Sequence, residues 1–145
     1  MSYQPRYFGI HELMPPELVN TVDEKILWML FDERILMAAD ALRNRYGPMC
    51  GNDWKWGGSI RYRGFRPRDY NQCSQFSQHF FGRGLDLVPE KVSAEEIRKD
   101  LRDNFKVGLN MYDGINYIRR IENNVNWLHI DNANTGLDYI YFFNP

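Results

Sequence analysis

The chain has 145 residues, with 18 basic and 19 acidic side chains, a hydrophobic share of 43% and an aromatic share of 15%. That length and composition fit one domain spanning 1–145 with a sizeable core. The near-zero net charge gives no electrostatic footprint for nucleic acid. No apolar run approaches the roughly 20 residues needed to span a bilayer, so membrane insertion is not expected.

In chain order, the N-terminal stretch "MSYQPRYFGIHELMPPELVN" has no basic start followed by an apolar run. It does not read as a signal peptide, and synthesis and initial residence in a cytoplasm are expected. A short helix is expected around Val22 to Leu30. "DERILMAADALRNRYGP" predicts a helix from Asp32 to Tyr46, with Ile35, Leu36, Ala39, Leu42 and Tyr46 on one face. Asp32 and Glu33 sit where the helix dipole favours them, and Gly47-Pro48 stops the helix. Cys50 and Cys73 are the two cysteines; without a signal sequence they are expected to be free and buried.

Residues 51–77 are rich in Gly, Arg, Asn and aromatic residues and lack periodicity. So long an irregular segment is expected to be a functional loop. "SAEE" is a capping box that starts a helix at Ser93, running to Asn104 with Ile97 and Leu101 inward. Strands are expected at 84–88, 116–122, 126–131 and 138–143, where branched and aromatic residues concentrate. Helices first and most strands later predict an α+β fold with a small antiparallel sheet.

Of three histidines, two have suggestive settings. His79 precedes Asp86 across a turn eased by Gly82 and Gly84. His129 lies in "WLHID", where Trp127, His129 and Asp131 share one strand face. Two imidazoles and a carboxylate are a known ligand set for catalytic zinc. Two structural histidines satisfied by neighbours are the alternative on composition alone. His11 has no motif partner and receives no role.

The pattern Ser77-x-His79-x-x-Gly82-x-Gly84-x-Asp86 resembles the S-x-H-x-x-G-x-A-x-D motif of zinc peptidases of the D-alanyl-D-alanine carboxypeptidase and L-alanyl-D-glutamate endopeptidase group (M15). Gly84 stands where the family has Ala. Trp127-Leu128-His129 resembles the family's C-terminal W-H or W-x-H element. "RGFRPRDYN" at 63–71 resembles its upstream arginine segment, and "HELMPPEL" and "NDWKWGG" are similar to phage-encoded members. Three ordered elements are more specific than any one alone.

The resemblance implies a hedgehog/DD-peptidase-like fold, with helices packed on one side of the sheet and the zinc site on it. It implies Zn²⁺ held by His79, Asp86 and His129, with other divalent ions such as Mn²⁺ or Co²⁺ as alternatives. Ser77 either orients a ligand from behind or serves as a turn residue. Arg66 takes the place of the family arginine that contacts a substrate carboxylate or carbonyl. Arg61, Arg63 and Arg68 compete for that role, and pairing of Arg66 with Asp69 is the structural alternative. Trp127, Tyr70, Trp54, Trp56 and Phe65 are candidates to line a substrate groove, or else core aromatics.

The general base is open. The family's usual Glu, three positions before the histidine, is Asn126 here, which cannot accept a proton. Glu122 and Asp131 remain. A tight turn at Asn123-Asn124 would pair Glu122 with Val125 and leave it about 13 Å from His129 along the strand. The resemblance implies a wider loop that folds Glu122 back. Asp131 lies on the His129 face, about 6–7 Å along, and the alternative role for it is to hold a ligand histidine or a substrate amine.

The implied function is hydrolysis of an amide in the peptide stem of bacterial peptidoglycan, as a phage lysis or virion-associated enzyme acting on the wall after release. Phage virion proteins would then be partners. The rivals are a non-catalytic phage structural or wall-binding protein on the same scaffold, and a zinc amidase cutting between sugar and stem.

Overall fold

A polar face and an apolar face, set by strand register, organise the computed structural model, which describes residues 2–105 and 114–145. The helices are α1 (Ile10–Leu13), α2 (Pro16–Val19), α3 (Glu24–Met29), α4 (Glu33–Tyr46) and α5 (Ala94–Asn104). The strands are β1 (Met49–Cys50), β2 (Gly84–Pro89), β3 (Arg120–Glu122), β4 (Leu128–Asp131) and β5 (Tyr141–Phe143), in sheet order β1-β2-β4-β3-β5.

The fold is α+β as expected, but the sheet is mixed. β1–β2, β2–β4 and β3–β4 pair antiparallel, while β3 and β5 run parallel. The stretch from Asp131 to Tyr141 is long enough to return the chain to the far side of β3, which a tight hairpin would not permit.

Capping sets the helix ends. Asp32 and Asp23 accept N–H groups of Arg34 and Lys25, so both act as N-caps just outside α4 and α3. Ser93 forms the expected capping box with Glu96. α4 ends where Gly47 adopts φ 91°.

The strands are shorter than their apolar patterns suggest. Ile115–Tyr117 forms a 3₁₀ turn rather than strand, and Asn126 and Trp127 belong to the loop before β4. α1, α2 and β1 have no counterpart in the sequence reading, being too short to show a period. Residues 51–77 are mostly irregular, apart from a 3₁₀ turn at Trp54–Trp56. Cys50 and Cys73 are free, though half-buried rather than buried.

Register sorts the side chains. Asp86 pairs with His129, Gly84 with Asp131, and Arg120 with Asp131. Paired residues share a face, and alternate residues along a strand do too. Asp86, His129, Asp131, Arg120 and Glu122 therefore lie on one face. Leu85, Leu87, Ile121, Leu128 and Ile130 lie on the other, fully buried. They join Ile35, Leu36, Ala39 and Leu42 of α4 and Ile97 and Leu101 of α5 in one apolar cluster.

Gly82 is the tightest point of the turn leading into β2. It sits at φ 66°, and a Cβ there would lie 2.0 Å from the Leu30 carbonyl oxygen. Gly57 has φ 93° with open space around it. Gly82→Ala is expected to cost roughly 2 kcal/mol or more, from the left-handed backbone plus the backbone clash. Gly57→Ala is expected to cost only the backbone part, about 1–2 kcal/mol. Denaturant midpoints of the two variants check the order; equal midpoints would contradict it.

Candidate metal centre

The 3₁₀ turn Gln78–Phe81 delivers His79, and Ser77 caps that turn. The Ser77 hydroxyl accepts the His79 backbone N–H at 3.4 Å, so Ser77 positions the turn rather than the ring. The ring is oriented elsewhere: its Nδ1 donates to the Gly64 carbonyl at 2.6 Å. That leaves Nε2 facing Asp86 Oδ1 at 3.4 Å. Gly64 is required there because a Cβ would lie 2.1 Å from the Leu13 carbonyl oxygen.

Asp86 enters from β2 and His129 from β4, side by side in register. His129 Nδ1 lies 2.7 Å from Asp86 Oδ1, and its Nε2 lies 2.9 Å from Asp131 Oδ2. His79, Asp86 and His129 are 2%, 8% and 7% exposed. One ligand atom from each lies within 4.8 Å of the others.

The donor set suits a divalent cation. Two ligands at zinc-like bond lengths of about 2.0–2.1 Å in a tetrahedron stand about 3.4 Å apart, close to the His79–Asp86 spacing. Each imidazole has its second nitrogen engaged, His79 by a carbonyl and His129 by a carboxylate. Such partners fix the tautomer and ring orientation of a metal ligand. His79 Nε2, Asp86 and His129 Nδ1 would hold the ion.

The charges around the triad alternate. Arg66 Nη2 donates to Asp86 Oδ2 at 3.2 Å. Arg120 grips Asp131 through Nε and Nη2, each 2.9 Å from a carboxylate oxygen. Burial alone would raise the Asp86 carboxyl, but the charge of His79 and hydrogen bonds from both imidazoles hold it well below the usual carboxylate range. Burial would likewise raise Asp131, and hydrogen bonds from His129 and Arg120 hold it down. For His129 burial acts downward; the Asp131 and Asp86 carboxylates outweigh it and raise the group to about 9.

A cavity of ≈ 550 Å³ opens over the triad. Its lining includes Arg66, Ser77, His79, Asp86, Arg120, Glu122, Trp127, His129 and Phe143. Glu122 thus reaches the site. β3 ends at Glu122 and β4 begins at Leu128, so the connection is wide, with Asn124 at φ 60°. Continuing the Arg120–Asp131 and Ile121–Ile130 pairing by one step sets Glu122 opposite His129. The tight turn that would have removed Glu122 is not formed.

Asp131 is placed otherwise than a general base requires. It is 0% exposed, lies outside the cavity lining, and spends its oxygens on Arg120, His129 and the Ala133 N–H. Asp131 therefore holds His129, and its candidacy as base is corrected on that ground. Asn126 is exposed and also outside the cavity lining.

Arg66 pairs with Asp86, not Asp69, and its Nε donates to the Tyr62 carbonyl at 2.9 Å. Arg61, Arg63 and Tyr70 line an adjoining cavity of ≈ 390 Å³, which shares Arg66, Gln72, Asp86 and Trp127 with the first. Tyr70 packs at a tilt of 40° against Tyr62, ring centroids 4.5 Å apart. Trp54, Trp56, Phe65 and Arg68 line neither cavity. Phe65 packs on Phe31. His11 stands against Trp56, away from the triad.

Arg120, Phe143 and the Gly64 carbonyl escaped the sequence reading. "RIE" carries a signal for the first, since Arg120 alternates with Glu122 on one strand face. The Gly64 carbonyl carries none.

The metal-free protein should show a pH-dependent stability. The folded value of His129 lies above its ordinary 6.5, so its stabilising contribution is complete below about pH 6.5 and is lost as pH rises through about 9. The Tm of chelator-treated protein is expected to fall between pH 6.5 and 9.5, and His129→Gln to flatten that fall. A wild-type Tm that does not change over this range would contradict the arrangement.

Comparison of the chain with protein-family models, with curated proteins and with solved structures finds no match, so the family resemblance rests on the motif residues.

Proposed function

We propose that the protein is a zinc-dependent peptidase that hydrolyses an amide bond in the peptide stem of bacterial peptidoglycan, as a phage lysis or virion-associated enzyme. The observation that carries this reading is the meeting of His79, Asp86 and His129, distant in sequence, in one buried cluster beneath a cavity that Glu122 also lines. The three motif elements supply the substrate class, and "HELMPPEL" and "NDWKWGG" supply the phage origin.

When bound, the zinc ion supplies Lewis acidity to the attacking water and to the scissile carbonyl. The protein supplies the rest. Asp131, gripped by Arg120, keeps His129 turned so that Nδ1 faces the ion site. The Gly64 carbonyl does the same for His79 Nε2. Glu122, on the cavity wall beside His129, takes the proton from water and passes it to the leaving amine. Arg66 presents positive charge to the carbonyl oxygen as negative charge develops there, while its bond to Asp86 keeps it at the cavity edge. Trp127, 38% exposed, and Phe143 offer apolar walls to a peptide chain.

Mass spectrometry of purified peptidoglycan digested with the zinc-loaded protein tests the reading. New amine and carboxyl ends within the stem are expected, with chelation abolishing them. Glu122→Gln is expected to bind zinc as the wild type does and to lose about 10²–10⁴-fold in turnover. A free lactyl-sugar end would indicate an amidase instead. Absence of any product, with zinc bound, would indicate a wall-binding or structural protein. Undiminished turnover in Glu122→Gln would remove Glu122 from the mechanism.

A further inference from the structure

We infer that Arg98 is a positioning residue that sets the placement of Glu122 and Trp127 at the cavity from the far side of the loop. The inference rests on the peptidase reading for its catalytic consequence, but its structural half stands alone.

Arg98 lies on α5 and is only 3% exposed. Buried cations are costly unless paired and hydrogen-bonded. Its Nε meets Glu95 Oε2 at 2.8 Å, one turn earlier on the helix. The two terminal nitrogens are turned to backbone: Nη1 donates to the Glu122 carbonyl at 3.4 Å and the Trp127 carbonyl at 3.1 Å, and Nη2 to the Val125 carbonyl at 2.9 Å. These are the start, middle and end of the β3–β4 connection. A planar fork of N–H donors can hold three carbonyls in fixed relative positions, which a lysine cannot.

Among the described residues the loop has few other restraints. The Asn123 N–H donates to the Phe143 carbonyl at 2.7 Å. The side-chain contacts of Asn123 with Arg102 and of Asn124 with Asn144 are long, at 3.5 and 3.3 Å, and exposed. Arg98 is therefore the buried fastening of the loop among the described residues. Ala94, Ile97, Arg98 and Leu101 are the buried residues of α5. A cation standing at that i, i+3, i+4, i+7 spacing, otherwise apolar, signals a polar task on the buried face.

Positioning matters because a displacement of about 1 Å in a catalytic group can cost about 100-fold in rate. Arg98 bonds to no member of the triad and does not itself line the cavity, so its removal should leave metal affinity alone.

The test compares Arg98→Met, which keeps an apolar stem and removes the donors, with Arg98→Lys, which keeps the charge. Amide hydrogen exchange on the metal-free proteins reports the loop through Asn123, with α5 as internal control. Zinc affinity and steady-state kinetics on a stem peptide follow, each variant also in a Glu122→Gln background. Expected for Arg98→Met are faster exchange at Asn123 with α5 unchanged, zinc affinity within about twofold of wild type, and kcat down about 10- to 100-fold. That loss should largely vanish in the Glu122→Gln background, because the two residues act in series. Arg98→Lys should fall between, and carries the test if Arg98→Met does not fold. Unchanged exchange at Asn123 overturns the clamp whatever the enzyme does. Faster exchange with an equal kcat loss in both backgrounds overturns the action through Glu122. Faster exchange in a protein whose wild type cleaves no peptide keeps the clamp and overturns its catalytic role together with the peptidase reading.

Discussion

The carboxylate of Asp86 is the constraint around which the site is arranged. It sits on β2 between Leu85 and Leu87, whose side chains go to the core, and is itself almost wholly buried. A carboxylate in that position must be compensated. The fold compensates it on both oxygens: the imidazoles of His79 and His129 face Oδ1, and Arg66 takes Oδ2. The same logic continues outward, from His129 to Asp131 and from Asp131 to Arg120. Each charge in the row Arg66, Asp86, His129, Asp131, Arg120 is satisfied by a neighbour of opposite sign or by a ring nitrogen. Without metal, the protonated His129 ring donates Nδ1–H to Asp86 and Nε2–H to Asp131. A divalent cation at Nδ1 would replace the proton there and leave the Asp131 bond in place.

The sheet makes this possible through its two-residue side-chain period. One face carries Leu85, Leu87, Ile121, Leu128 and Ile130 into the packing against α4 and α5. The other carries the charged row. Every residue of β4 is buried on one face or the other. A one-residue slip of β3 or β4 would exchange the faces and put carboxylates in the core, so the apolar packing also fixes the geometry of the site. The parallel β5 adds to the same arrangement by setting Phe143 beside Glu122 and His129, with its ring edge-on to the His129 imidazole at 5.8 Å.

Much of the site was legible because its residues obey local rules. His79 and Asp86 flank a turn whose Gly82 cannot be replaced without a clash. His129 and Asp131 alternate on a strand, and that alternation alone assigns them to one face. The strong helices were legible from period, from the acidic pair Asp32-Glu33 at the start of one and from the Ser93 capping box of the other, though Asp32 proves to be the N-cap rather than a first-turn residue. What sequence did not resolve was governed by tertiary contact. The parallel pairing of β5 depends on a long return that has no local signature. The Asp131–Arg120 grip decides between base and histidine partner, and spacing alone left both open. The width of the 122–128 connection depends on Arg98, which reaches it from a helix more than twenty residues earlier. The short α1, α2 and β1 owe their form to packing rather than to pattern, since four residues or fewer cannot display a period.

X-ray absorption at the zinc edge, on protein loaded with one equivalent of zinc, tests the central claim most directly. The account predicts a four-ligand shell of nitrogen and oxygen with the multiple-scattering signature of two imidazoles, reduced to one in either His79→Ala or His129→Ala. A shell of water oxygens without imidazole scattering, or a two-imidazole spectrum that survives those substitutions, would contradict it.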